Sequence, residues 1–340
     1  MNLGSQPRVS VITPVYNGAT YLAECIESVL AQTYQNWDYV IVNNRSTDTT
    51  AEIVQMYAAR DSRIRLHENQ EFLPLVANHN QAMRQITPGS KYCKLIFADD
   101  WLFPECLERM VGVAEAHPSV GIVGAYGLFG SIVEWTGLPY PSTVTPGRDA
   151  CRQRLLGGPY VFGTGTSHMI RSDLIRARDR VFNESSLHAD SETCFQLLQS
   201  SDFGFVHQIL SYTRPPRSES LTSTASRLRA LEFATLYELI IYGPVFLTPE
   251  ELKFRKAEKR KQYYEFLAHS FLEGGESWDF HKKKLGELGL GLNRSRLARA
   301  VFWKGLSALT ANPKRTIRKL WNGTSVATSR LRTTRSQHAN

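Results

Sequence analysis

Over its first 130 residues the chain alternates short β-branched runs with segments of helical period, and that alternation leaves few folds open. "RVSVITP" reads as a strand ending at Pro14, and "ATYLAECIESVLAQ" then places Leu22, Ile26, Val29 and Leu30 on one helical face. "WDYVIVN" and "RIRLHE" read as two further strands, with "STDTTAEIVQMYAARD" as the helix between them. A helix around "LVANHNQAMRQI" leads to a fourth strand, "KYCKLIFA", and the helix "PECLERMVGVAEAHP" leads to a fifth, "VGIVGAYGLF". Strands separated by helices in this way specify βαβ units on a mostly parallel sheet. The expected fold class is therefore α/β.

Residues 134–165 are rich in Gly, Pro and Thr and read as an irregular loop region. "TSHMIRSDLI" then looks like a strand running into a helix, "HADSETCFQLLQSS" like a helix, and "FGFVHQILSYTR" like a closing strand. Beyond Pro215-Pro216 the pattern is wholly helical, so a boundary is expected between a catalytic domain over 1–215 and a helical region over 216–340. Five scattered cysteines, odd in number and without a CxxC pair, argue against a disulfide framework or a zinc site. No cationic segment followed by an apolar one opens the chain, and no run of about 18 apolar residues follows. A cytoplasmic protein is expected, resting at most on the inner face of the plasma membrane.

In a doubly wound sheet, ligands bind beyond the carboxyl ends of the strands. Three polar clusters fall there: "TPVYN" (13–17), "NNRSTD" (43–48) and "ADD" (98–100). None is a Gly-rich phosphate loop, which weakens a dinucleotide or P-loop reading. Asp99 and Asp100 place two like charges side by side at the edge of a core, where something must compensate them. One answer is a hard divalent cation, which takes one or two carboxylates plus substrate phosphate oxygens. The other is that one Asp caps the helix near Pro104 while the second is solvated.

"VSVITPVYNGATYLAECIESVLAQTYQNWDYVIVNNRSTDTT" followed by "ADDWLFPECLERM" resembles the family 2 glycosyltransferases of the GT-A fold, over roughly residues 8–215. The resemblance implies a Rossmann-like sheet flanked by helices, and inverting sugar transfer from a nucleotide-diphosphate sugar, UDP-linked, onto a glycan or lipid-linked hydroxyl acceptor. It implies that Thr13, Pro14 and Tyr16 form a nucleotide-contacting segment, and that Asn80 lies near the donor. Asn44 stands where an Asp commonly hydrogen-bonds uracil, since Asn43-Asn44 replace the usual Asp-Asp; Arg45 replaces a small residue. Asp99 and Asp100 match the last two residues of a DxD-type motif, with Asp100 as ligand to Mn²⁺ or Mg²⁺ and Asp99 nearer the ribose or sugar. Phe97 replaces an acidic residue often found in that motif.

An inverting transfer needs a base for the acceptor hydroxyl. The segment "FNESSLHADSETCFQLL" resembles the one ending in a catalytic Asp, which implies Asp190, with Glu192 as its rival and His188 able to tune it. Arg214 and Arg217 could reach the leaving diphosphate, although a solvated loop position suits either. "GTGTS" (163–167) precedes a strand and has no Lys after it, so it reads as loop backbone on the acceptor side.

The formal net charge of +8 is concentrated at one end: from Leu288 to Asn340 there are 11 Lys/Arg and no Asp or Glu. Around 294–322 these cations alternate with Leu, Val, Phe and Trp at near-helical spacing. Such a segment suits peripheral membrane contact, packing on the domain, or nucleic acid, of which the last is not expected. Two rival functions remain at this stage. A nucleotidyltransferase would carry a Gly-rich basic loop where "TPVYNGAT" stands, and a non-catalytic scaffold would bind through its basic tail alone.

Overall fold

The β-branched runs form the sheet that their order specifies. In the computed structural model, which describes residues 6–134, 136–215 and 221–311, strands β1 (Val9–Val15), β2 (Trp37–Asn43) and β3 (Ile64–Glu68) alternate with helices α1 (Leu22–Leu30) and α2 (Thr50–Ala58). Helix α3 (Leu75–Met83) leads to β4 (Tyr92–Leu95) and the two-residue β5 (Trp101–Leu102), and α4 (Cys106–Ala116) leads to β6 (Val120–Phe129). The short strands β7 (Ile132–Glu134) and β8 (Val144–Thr145) precede α5 (Gly147–Leu155). Then come β9 (Met169–Arg171), α6 (Ser172–Arg176), α7 (Ala189–Leu197) and the long β10 (Asp202–Thr213).

Sheet order is β3-β2-β1-β4-β9-β6-β10-β5, with β7 on β6 and β8 on β10. The β3, β2, β1 and β4 ladders are parallel, as are β6 and β10, whereas β9 runs antiparallel between β4 and β6. Every residue of β1 is buried, as a strand covered on both faces should be. Helix α1 buries Leu22, Cys25, Ile26 and Val29, the i, i+3, i+4, i+7 face. All five cysteines are buried and free.

One sequence reading needs correction. Residues 134–165 are not wholly irregular, because Gly147–Leu155 is helix α5. Its arginines are held by acids distant in sequence: Arg152 pairs with Glu251, and Arg154 with Glu238 (3.5 Å). β10 is the last strand in chain order, as expected, and the earlier β5 pairs on its outer side.

The helical remainder comprises α8 (Leu221–Leu228), α9 (Ala230–Ile241), α10 (Gly243–Phe246), α11 (Pro249–Glu273), α12 (Glu276–Glu287) and α13 (Arg294–Ala311). The described residues divide into two compact units, the first comprising those up to Ser223 together with Glu238–Leu252, the second Thr224–Tyr237 with those from Lys253 to Ala311. A single cut after residue 215 therefore differs from this division, because Glu238–Leu252 returns to the first unit. The second unit has its own buried centre in Tyr263, Phe266, Leu267, Leu285 and His281. Tyr263 and His281 are hydrogen-bonded there at 2.6 Å, and His281 also meets the Leu228 carbonyl.

Candidate active site

The site is set by where three neighbouring strands stop. β1 and β2 stay paired as far as Val15↔Asn43, whereas the β1–β4 ladder ends at Ile12↔Leu95. Pro14, which has no N–H to give a ladder, falls in the stretch beyond β4. There Thr13 bridges the gap, donating its hydroxyl proton to the Ile96 carbonyl (2.9 Å) and therefore accepting from Tyr39 (2.8 Å). Thr13 is fully buried and Pro14 is buried in β1, so only Tyr16 of the expected nucleotide segment projects outward. Tyr16 packs edge-on against Phe72, ring centroids 4.9 Å apart, and both rings stand about half exposed.

The loops behind Tyr16 are fastened to each other. Asn17 Oδ1 accepts from the Thr47 N–H, while the N–H groups of Asn17, Gly18 and Ala19 reach Ser46, Thr50 and Asp48. A Cβ on Gly18 would lie 2.4 Å from Val15, which is why glycine stands there. Arg45 has φ of +61°, the left-handed region where a small residue is easiest to accommodate.

The two asparagines expected at the donor are both spent on the protein. Asn44 donates to the Leu73 carbonyl (2.8 Å) and accepts from Leu73 N–H and Asn69. It thus fixes the residue next to Phe72 and offers no free edge to a base. Asn80 accepts from the N–H groups of Val181 and Phe182 and donates to the Phe182 carbonyl and Glu184. That makes it a clamp on the segment before α7 rather than an open donor contact.

The acidic doublet resolves differently from the sequence expectation. β4 stops at Leu95, and Asp100 N–H donates to the Phe97 carbonyl (3.0 Å), closing a turn with Ala98 and Asp99 at its corners. The corner position turns Asp99 outward; its carboxylate has no hydrogen bond or ion pair among the described residues. Asp100 turns inward and is 3% exposed. Its Oδ2 accepts from the Thr166 hydroxyl (2.5 Å) and its Oδ1 from the Arg214 backbone N–H (3.1 Å). Burial pushes its pKa up to about 7; the Thr166 bond opposes this and the Asp99 charge adds to it. Each Asp100 oxygen thus already carries a hydrogen bond, and of the two carboxylates it is Asp99, not the expected ligand Asp100, that is open to solvent.

Two groups make this possible: Thr166 with its support Lys94, which sequence reasoning missed, and Arg214, which it had placed at the diphosphate. Thr166 sits on a single 3₁₀ turn, Gly165–Ser167, whose Thr166 carbonyl, with that of His168, is held by the fully buried Lys94 ammonium. A lone Lys inside an apolar strand was the available signal. The "GTGTS" loop is therefore the wall against which Asp100 is fixed. Arg214 arrives because β5 pairs antiparallel with the end of β10, Tyr212 opposite Trp101. Its guanidinium pairs with Glu24 (2.8 Å), lies 3.8 Å over Tyr21 and bonds the Asp99 carbonyl (3.1 Å). Arg217 lies outside the described residues.

Asp190 begins helix α7 and lines a cavity of about 10 Å³ with Leu95, Gly165, His168 and Phe182. Burial raises its pKa, against hydrogen bonds from backbone N–H groups. Its rival Glu192 is buried and accepts from Asn183 (3.0 Å). Burial lowers the pKa of His188, whose Nε2 has no hydrogen-bond partner among the described residues. Behind Asp190, Ser191 donates to Glu238 (2.7 Å), itself buried and joined to Arg154.

No group of three or more His, Cys, Asp or Glu is placed to hold a metal among the described residues. One open carboxylate does fit a hard cation whose remaining ligands come from phosphate and water, the arrangement Mg²⁺ prefers.

An α/β sheet of this order, with polar loops gathered at the strand ends and an acidic turn after β4, is the GT-A-type fold. Two solved structures share it: TarS 1–349 of S. aureus in complex with UDP-GlcNAc (TM-score 0.55, 18% identity, 91% of this chain and 82% of that one). The second is the mannosyltransferase PcManGT of Pyrobaculum calidifontis in complex with GDP-Man and Mn²⁺ (TM-score 0.55, 17% identity, 96% and 88%). The family model for glycosyl transferase family 2 matches residues 10–178, and the chain belongs to that family. EpsE of Bacillus subtilis is 33% identical over 162 residues, 45% of this chain and 57% of its own length. TuaG of the same organism, named for teichuronic acid biosynthesis, is 33% identical over 106 residues, 31% and 41%. The chain thus spans little more than half of EpsE and less of TuaG.

Proposed function

We infer that this protein is an inverting glycosyltransferase that moves a sugar from a nucleotide-diphosphate donor, UDP-linked, to a hydroxyl of a glycan or lipid-linked acceptor in surface polysaccharide or glycolipid synthesis. The observation that carries this reading is the turn at Phe97–Asp100, which leaves Asp99 as an open carboxylate beyond β4 while Asp100 anchors it. Family membership supports the reaction class. The ligands named for the two structural neighbours, UDP-GlcNAc in one and GDP-Man with Mn²⁺ in the other, support a nucleotide-sugar donor.

In this reading the base stacks on the exposed Tyr16–Phe72 pair. Asp99 would hold Mn²⁺ or Mg²⁺ together with the donor diphosphate. When bound, the cation supplies charge neutralisation for the departing diphosphate. Asp190 accepts the acceptor hydroxyl proton as the oxygen attacks the anomeric carbon. The bond from that carbon to the diphosphate oxygen breaks on the opposite face, and the diphosphate leaves with the electron pair. Burial raises the pKa of Asp190, the direction that makes a carboxylate a stronger base.

A panel of UDP- and GDP-sugars with Mn²⁺, read by thermal shift and by released nucleotide, tests the assignment. Stabilisation by one UDP-sugar is expected, with slow hydrolysis in the absence of acceptor. A flat response across the panel contradicts it.

A further inference from the structure

The second unit carries a feature that sugar transfer does not use. Helices α11 and α13 enclose a groove of about 820 Å³ lined by Arg260 and Lys261 from the first, and by Arg296, Arg299, Trp303 and Lys304 from the second. Among the described residues none of these five cationic side chains has an ion pair or hydrogen bond, and Glu265 is the sole carboxylate in the lining. Of the basic residues on α11 outside the groove, Arg255 pairs with Glu258 and Lys259 with Glu232, whereas Lys253 and Lys256 stand without an ion pair among the described residues. Five unpaired cations converging on one groove cost repulsion unless anions enter it.

The cations stand beside exposed apolar side chains. Phe302, Trp303 and Leu306 are 64%, 60% and 41% exposed, at positions that continue the Arg299 side of α13. Phe254, 69% exposed, lies on the same face of α11 as Lys261. Cations interleaved with exposed aromatic rings on a helix are what an interfacial helix presents to a lipid surface: the rings enter the headgroup layer while the cations meet phosphates. We propose that the α11–α13 groove docks the protein on a bilayer rich in anionic phospholipid.

Two other occupants fit less well. Residues 312–340 carry seven Lys/Arg and no Asp or Glu, so the chain's own tail is repelled by the groove. A nucleic-acid duplex offers phosphates but keeps its base faces stacked on each other, leaving no apolar layer for Phe302, Trp303 and Leu306. No helix among the described residues is long and apolar enough to cross a membrane, so α13 would lie on the surface.

Sedimentation of the full chain with vesicles tests this directly. Co-sedimentation is expected with equimolar phosphatidylcholine and phosphatidylglycerol, and none with phosphatidylcholine alone. Arg296→Glu with Arg299→Glu should weaken partitioning at least about 25-fold, since each cation near such a surface contributes about fivefold. Arg60→Glu with Arg84→Glu, the same charge change on the first unit, should leave it unaltered. If circular dichroism finds the groove variant unfolded, Trp303→Ser keeps every charge and should weaken partitioning about tenfold through lost apolar burial. Absence of vesicle binding, undiminished binding by these variants, or tighter capture by a DNA duplex overturns the proposal. Vesicle binding needs no nucleotide and donor binding needs no vesicle, so failure of either is distinguishable from failure of the other.

Discussion

Asp99 and Asp100 are chemically identical neighbours, and a single turn gives them opposite tasks. Asp100 completes the fold: its oxygens receive Thr166 and the Arg214 N–H, so Asp100→Ala should strand both donors and cost about 1–3 kcal/mol in urea unfolding. Asp99→Asn removes an exposed charge and should leave that unfolding curve unchanged. Asp190→Asn is expected to lower kcat by about 10²–10⁴ while donor affinity holds, as removal of a general base does. An equal loss of donor binding would assign Asp190 to positioning instead. His168 supplies a pH signature. It is buried next to Lys94, and burial together with that cation lowers its pKa to about 3. Between pH 6.5 and 3 the unfolded chain binds this proton and the folded chain does not, so stability falls as pH falls through that window. His168→Phe should flatten the slope there by up to about 1.4 kcal/mol per pH unit, read from Tm against pH.

At the scale of elements, the strand and helix periods were legible where burial follows them. β1, β2 and β6 stand where the β-branched runs put them, and α1 buries the face that its spacing marks. Helix α5 was not legible, because "GRDACRQRL" is mostly polar and its arginines find Glu238 and Glu251 only through tertiary structure. The doublet was recognisable as a pair at a strand end, yet which carboxylate faces outward depends on a turn hydrogen bond that composition does not encode. Asn44 and Asn80 had the right residue type for a ligand contact, but long-range backbone partners claim their amides first. Asn80→Ala should therefore lower stability by about 1–3 kcal/mol, with donor KM following only as the fold loosens. A large KM rise at unchanged stability would restore the ligand role.

For the molecule as a whole, the family-like segment and the basic end are separate in charge and in packing. The first unit takes back Glu238–Leu252 because Glu238 closes on Ser191 and Arg154 beneath Asp190. A break in composition near residue 215 gave no hint of that return, since a single buried Glu on a helix looks like surface in sequence. The reading as a nucleotide-sugar enzyme rests on the first unit alone, and within it on the carboxylate left open by the turn after β4. Calorimetric titration of UDP, with and without Mn²⁺, into the native protein and Asp99→Asn measures that dependence most directly. Mn²⁺ should tighten UDP binding by at least about tenfold in the native chain, worth about 1.4 kcal/mol, and by nothing in Asp99→Asn. An undiminished Mn²⁺ effect in the variant would contradict the assignment of Asp99.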